Sequence, residues 1–557
     1  MKGLFLYFIL LASVTLTFAT NIKVSSVAAL QAAINDALAG DIIILTDGTY
    51  LNSVITIGTS NITVKTDTPG GAYLNGTNDL TVTGRNVTLS GFQFTSGTSK
   101  GSAIKVYGNN NTLTQLNFNG YSAAHLIIIH GQNNLITNCN FQNKPATNLV
   151  SHGGTGDLVQ IIPDSALIGY NTIRYCSFQH IPGFGGDYGN ECIRIGDGAY
   201  STFSSGTVVE YCYFEDTGNG DSEAISVKSR DNCLRYNTMF NNPDAMFAFR
   251  NGDNNVAYSN YFIKSGGIRI KQANNIFCYN NYFQQAGMNQ NQSLHGKRAA
   301  VFLEYFGPGY GNNLNFIHNS FYKCANTIID SNLTNCSWAN NIFYSDSSAI
   351  FTGTASGQSF TGNIYFGLLG LAIPNGMANL DPKLTLNPDG YFGLSSTSPA
   401  IGSASPEYPA ILSLPGLNND PNILLDIEGQ SRPEPVTLKD AGCDQFSKEA
   451  ITNRPLALCD VGPSYLCSIT TINPVKVETY NSLIYPNPNY GIFYVKSETV
   501  ISKIEIINLF GEVIRTIDFN QQFLLIEINL TAYSKGIYFV RITDTKRNVT
   551  NKKIVIL

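Results

Sequence analysis

The chain has 557 residues, enough for several domains or for one large repetitive one. Only 13% of them are charged, about half the roughly 25% of an ordinary soluble chain, and Asn, Gly, Tyr and Phe take their place. A formal net charge of −5 gives no basis for a nucleic-acid partner, while an anionic polymer can still bind wherever cations cluster. In chain order, residues 1–20 come first, as MKGLFLYFILLASVTLTFAT. One lysine, a short apolar run and small residues near Ala19 make this a predicted secretory signal peptide rather than a membrane anchor. No other stretch approaches spanning length, so the mature protein is expected to be exported and to lack a membrane span. The stretch SSVAALQAAINDALAGDIIILTDGTY follows. It predicts an amphipathic helix over about 27–37, N-capped by Ser25 or Ser26 and ended by Gly40. DIIIL is then the first strand, and the helix covers the open apolar end of what comes next.

What comes next is a repeat. Asn, an apolar pair, polar residues and an aromatic recur in NVTLSGFQF, NTLTQLNF, NNLITNCNF, NTIRYCSF, TVVEYCYF, NCLRYNTMF, NNVAYSNYF, NNIFCYNNYF and NNLNFIHNSF. These end at Phe94, Phe118, Phe141, Phe178, Phe214, Phe240, Phe262, Phe283 and Phe321. The base spacing is 21 to 26 residues, with three longer intervals of 36 to 38. Short strands with period-2 alternation in each unit cannot bury their apolar side chains alone, so the units must stack. The predicted fold is all-β, a right-handed parallel β-helix with one coil per repeat. The motif asparagines are read as turn residues in the left-handed region, with amides able to ladder. The longer intervals are coils with insertions, which solenoids place on one face. A leucine-rich repeat would need a leucine consensus that is absent.

There are 11 cysteines. Cys139, Cys176 and Cys212 each precede a motif Phe by two residues and are expected to stack as small apolar side chains. Cys443, Cys459 and Cys467 lie in an irregular region that has room for one bridge. Beyond about residue 375 the repeat fades into Pro- and Ser-rich turns. The β-helix domain is placed at 21–460 and a linker at 461–479. From 480 to 557, alternating strands with hairpin turns predict a small C-terminal β-sandwich.

Within the repeat, Lys228 sits in SEAISVKSRDN, an unusual concentration of charge for this chain. Arg250 follows 22 residues later, one coil on. That spacing puts the two on adjacent rungs of one face, roughly 4.8 Å apart along the axis. Arg269 in GGIRI is about one rung further, and Arg194 in CIRIG lies on an earlier one. Asp221 and Glu223 alternate, so both point to one strand face. Two carboxylates and an amide oxygen suit a hard cation such as calcium.

These stretches together resemble polysaccharide lyase family six, the chondroitinase-B-like and alginate lyases. The residues that carry the resemblance are NECIRIGDG (Asn190–Gly198), TVVEYCYFED, NGDSEAISVKSRDN (Asn219–Asn232), FRNG (Phe249–Gly252) and GGIRI. The resemblance implies β-elimination in a uronate polymer, with alginate as the substrate and dermatan- or chondroitin-type glycosaminoglycan second. It implies Lys228 as the base and Arg250 as the acid toward the leaving oxygen. Arg194, Arg269 and Asn251 are implied to bind substrate, and Asn190, Asp221 and Glu223 to bind calcium. Tyr188 stands nearer the family's asparagine ligand than Asn190 does, so Asn190 is a substitute, with Glu191 beside it. Asn251 stands where the family often has His. Two other classes compete. A non-catalytic β-helix adhesin or carbohydrate-binding protein needs none of this chemistry, and a pectinase-like hydrolase needs close Asp pairs that are absent around Lys228.

The tail resembles the C-terminal sorting domain of the type IX secretion system of Bacteroidetes. YPNP (Tyr485–Pro488), INLFGEVI (Ile507–Ile514), GIYFVRI (Gly536–Ile542) and KKIVIL carry that likeness. It implies the type IX machinery as partner and a secreted or cell-surface destination, with no catalysis in the tail.

Overall fold

The computed structural model describes residues 19–99, 101–145, 156–182, 190–219, 223–288, 299–372, 375–414, 420–435, 438–467, 483–508, 513–545 and 549–557. The predicted signal peptide lies outside them except for Ala19 and Thr20. The chain divides into two compact units, Met1–Cys467 and Ser468–Leu557. Among the described residues no helix is long and apolar enough to cross a membrane.

In the first unit short strands form three parallel sheets of 14, 12 and 14 strands. Each strand pairs with the strand one coil before and one coil after it. Thr88–Ser90, for example, lies between Thr63–Thr66 and Thr112–Thr114. This is a parallel β-helix, and its registry follows from side-chain stacking. Phe94, Phe118, Phe141, Phe178 and Phe214 align rung on rung, with ring centroids 4.5, 5.3, 4.9 and 4.8 Å apart. Offset stacking of buried aromatics adds to the burial of their area, and a slip by one residue would turn every ring to solvent.

At the next coil the expected register is corrected. Met239, not Phe240, pairs with Phe214 and continues to Phe262. Phe240 faces outward against Tyr213, 6.5 Å between centroids. Phe247 fills the space beside the thinner Met, edge-on to Phe214 and Phe262.

Asparagine plays two parts. Asn86, Asn110, Asn133, Asn254 and Asn275 have φ between 54° and 59°, the left-handed turn that Asn tolerates. The residue that follows is often a second Asn that is buried and bonds to the next coil. Asn111 N donates to Asn134 Oδ1 at 2.9 Å and Asn134 N to Asn171 Oδ1 at 2.9 Å. A second ladder runs through Asn237, Asn260, Asn281, Asn319, Asn341 and Asn363, with amide-to-amide bonds of 2.9–3.0 Å. These ladders satisfy main-chain N–H groups that the corners would otherwise bury unpaired.

The N-terminal end is capped by the helix Val27–Asp36, whose Ser26 Oγ accepts from Ala29 N at 3.2 Å. Leu30 and Ile34 plug the first coil. A strand not foreseen in the sequence, Asn21–Val24, precedes the helix and pairs with Ile42–Leu45. DIIIL is therefore the second strand. Cys139, Cys176 and Cys212 are free and buried on successive coils, and the one disulfide among the described residues is Cys459–Cys467.

After the last coil the chain runs back along the outside of the solenoid. Cys443 N donates to Ser320 Oγ, Arg432 to Asn280, Leu456 N to Thr238 and Gly462 N to Tyr175 O. Tyr465 reaches Gln115 O at 3.1 Å. Residues 461–467, placed in a linker by sequence, thus pack on the β-helix, and 468–479 lie outside the described residues. The second unit is a five-stranded antiparallel sheet. Its long strands Ile492–Ile507 and Val513–Asn529 pair with each other, and the first meets Leu483–Tyr485 and then Gly536–Asp544 on its other edge. They enclose one core that includes Phe493, Val495, Ile504, Ile528, Val540 and Ile554.

Candidate active site

The 12-stranded sheet carries the charged cluster. Its central strands are Val159–Ile161, Ile193–Gly196, Glu223–Lys228, Met246–Arg250, Ile268–Lys271 and Val301–Glu304. Alternate residues fill the core, among them Ile195, Val227, Phe249 and Ile270. The residues between them must point outward. Gly196 pairs with Lys228 and Val227 with Phe249, so Lys228 and Arg250 are the next positions on one ladder. Arg250 pairs with Lys271, and Lys271 with Glu304. The parallel ladder two residues earlier holds Arg194, Ser226, Ala248 and Arg269.

Carboxylates interleave with these cations. Lys228 Nζ lies 3.4 Å from Glu191 Oε1. Arg194 lies 3.3 Å from Asp157 and 3.9 Å from Glu191. Arg250 Nη1 is 3.5 Å from Glu223 Oε1. Arg269 is held by Glu304 at 2.6 and 3.0 Å, with Glu223 3.8 Å away. Lys271 reaches Glu304 at 3.2 Å, and its ammonium sits over the Phe306 ring. Exposure ranks the cations. The Arg250 side chain is 33% exposed, against 13% for Arg194, 11% for Lys228 and 3% for Arg269. Arg250 is the most open to a ligand, and Arg269 is committed to carboxylates within the wall. Asn251, at φ 62°, forms the half-buried turn after Arg250.

Burial sets the electrostatics. Burial, and then the Asp157 carboxylate, push the Glu191 carboxyl up to about 7 against the pull of Lys228. Burial also lowers His125, 3.9 Å from Asp157, to about 4, so it adds no charge at neutral pH. Glu304 moves the other way: burial raises it, but Arg269 and Lys271 together hold it below the usual carboxylate range.

Three residues of this network, Asp157, Lys144 and Glu304, had no motif to announce them. Lys271 was legible, since it stands two residues after Arg269 and so shares its face. Lys144 is 2% exposed, and its Nζ donates to Gly156 O and Asn190 Oδ1, both at 2.6 Å. Burial lowers its ammonium to about 8.

Calcium requires oxygen ligands that no other cation has taken. Asn190 Oδ1 faces the Lys144 ammonium, and Asn190 Nδ2 is fixed on Pro182 O at 2.7 Å. Glu223 Oε2 accepts from Ser226 Oγ at 2.5 Å, and its Oε1 faces two guanidinium groups. Asp221, the third expected ligand, lies outside the described residues, as does Tyr188. The described part of the expected set does not fit a calcium ion. An acidic cluster exists elsewhere in the unit, where ligand oxygens of Asp426, Glu428 and Asp444 lie within 4.8 Å of one another. Its oxygens accept from Gln430 N, Gln445 N, Tyr391 Oη and Leu394 N, which makes it part of the returning segment's own bonding.

Residues 24–332 match the family model for chondroitinase B, and residues 483–557 match the secretion system C-terminal sorting domain. The second match marks the chain for export, to the medium or the cell surface. Solved structures share the fold. The PL6 family alginate lyase AlyGC superposes with a TM-score of 0.60 at 20% identity, over 85% of this chain and 60% of its own. This chain therefore spans about 60% of that enzyme's length. A mannuronic acid specific family 6 lyase from human gut microbiota gives 0.53 at 21% identity, over 65% of this chain and 91% of its own. A PL6 alginate lyase in complex with a trisaccharide gives 0.52 at 18%, over 68% and 91%. No curated protein matches.

Proposed function

The chain belongs to the chondroitinase B family, and from that premise we propose that it is an exported polysaccharide lyase that cleaves alginate by β-elimination. The observation that carries the reading is the ladder itself: Lys228 and Arg250 stand outward on adjacent rungs, flanked by further cations. In a uronate the proton on C5 is a poor acid, because the neighbouring carboxylate is already negative. Removing it needs a base, a cation against the carboxylate and a donor at the departing oxygen.

This chain's residues take those parts as follows. Lys228 Nζ, in its neutral form, takes the C5 proton. The C5–H electrons form the C4–C5 double bond, and the C4–O bond breaks. Arg250, the most exposed cation of the cluster, donates a hydrogen bond to the departing oxygen, which takes a proton from water, and the hydroxide left takes the proton from Lys228. Arg194 faces the carboxylate of a sugar on the rung before, and Asn251 offers an amide at the next turn. Arg269 acts behind the surface, holding Glu223 and Glu304 in place. Positive charge on successive rungs suits a polymer with a carboxylate on every sugar, which favours alginate. The match to the chondroitinase B model favours dermatan- or chondroitin-type chains as the second reading.

The test is incubation with alginate, dermatan sulfate and pectate, following the ultraviolet absorbance of unsaturated uronate. A rise on alginate that exceeds the other two supports the proposal. No rise on any polymer leaves the binding-protein alternative.

A further inference from the structure

Resting on the lyase reading, we propose that Lys144 supplies the fixed positive charge expected of a metal, and that the site works without a divalent cation. The group is built in. Lys144 follows the strand Asn140–Gln142, and its buried side chain donates to two oxygens, Gly156 O and Asn190 Oδ1, just before two neighbouring strands of the charged sheet. A main-chain carbonyl and an amide oxygen are the donor types a calcium ion would use, and an ammonium occupies both. Gly156 makes the approach possible, because a Cβ there would lie 2.8 Å from the Lys144 Nζ. A buried ammonium persists only when it is paired and hydrogen-bonded. The Asp157 carboxylate, next in sequence to the bonded carbonyl, supplies the opposite charge.

The remaining donor tells the same way. Glu223 is shared between Ser226, Arg250 and Arg269. A dication placed between Asn190 and Glu223 would face one ammonium and two guanidinium groups. Lys144 is thus a positioning residue. It does not reach the surface, but it fixes Asn190 and the adjoining Glu191, the carboxylate against which Lys228 rests. It also offsets the charge of Asp157 and Glu191, so that a substrate carboxylate meets an excess of cations.

Two measurements on the full chain test this. In the first, calcium chloride is titrated calorimetrically into chelator-treated protein, and turnover of alginate is measured in chelator and in calcium. Expected is no binding that Glu223→Gln abolishes, and a rate in chelator within about twofold of that in calcium. Binding lost in Glu223→Gln, or a rate that falls tenfold in chelator and returns with calcium, would overturn the inference and leave the lyase reading standing. No turnover on any polymer, with or without calcium, would overturn the lyase reading and the role of Lys144 with it. In the second, Lys144→Met is compared with Lys144→Arg, thermal melts serving as the folding control. Expected for Lys144→Met is a tenfold or greater rise in KM that exceeds the change in kcat, largely recovered in Lys144→Arg. Unchanged KM in a folded Lys144→Met sinks the positioning role; the calcium titration does not use the Lys144 variants and decides the metal question by itself.

Discussion

Lys228 and Arg250 are the residues proposed to carry the chemistry, and their spacing pairs them. A separation of 22 residues in a chain whose coils run near that length places two side chains on one face, and the ladder does so. Replacing Arg250 with Ala should lower kcat by about 10²-fold with a smaller change in KM, since the donor acts on the departing oxygen. A variant that raised KM alone would make Arg250 a binding residue. Other members of the cluster left no trace in the sequence. Lys144 comes from the coil that carries the first long insertion, and its partner Asn190 is 46 positions away. Neither periodicity nor charge content marks a buried lysine whose partners lie in other segments.

At the scale of the element, the Phe repeat announced both the fold and its period. It misplaced one rung, because a Met–Phe pair satisfies the same apolar pattern in either register. The intervals show why: Phe214 to Met239 to Phe262 is more even than Phe214 to Phe240 to Phe262. The distinction can be measured by denaturation. Phe262→Ala opens a cavity in a stack with 4.7 Å spacing to Phe283 and should cost about 3–5 kcal/mol. Phe240→Ala, outside that stack, should cost about 1 kcal/mol. Equal costs would contradict the register. The inner asparagines deserve the same treatment. Asn260→Ala removes the acceptor of both the N–H and the side-chain amide of Asn237, and should cost about 1–3 kcal/mol.

The larger unit of the molecule is held by a returning segment that no repeat could announce. Its contacts span up to 350 positions, and its composition reads only as turns. Burial is the largest cause that pushes Asp426 up to about 6 and Asp444 up to about 8 in this segment. Raised carboxyl groups bind protons in the folded state that the unfolded chain has released. Their contribution is therefore complete below the unfolded range near pH 4 and is lost as pH rises through about 8. The melting temperature should fall across that window, and Asp444→Asn should flatten the fall while keeping an acceptor for Leu394 N. An unchanged slope would remove Asp444 as its source. The first compact unit, ending at Cys467, contains every residue assigned to the reaction. Lys228 as the base of an elimination is tested by comparing the wild-type chain with Lys228→Ala on alginate, following unsaturated uronate. Expected are a rise for the wild type and a kcat lower by about 10³-fold in a variant that melts normally; a variant that forms unsaturated product at the wild-type rate would rule Lys228 out as the base.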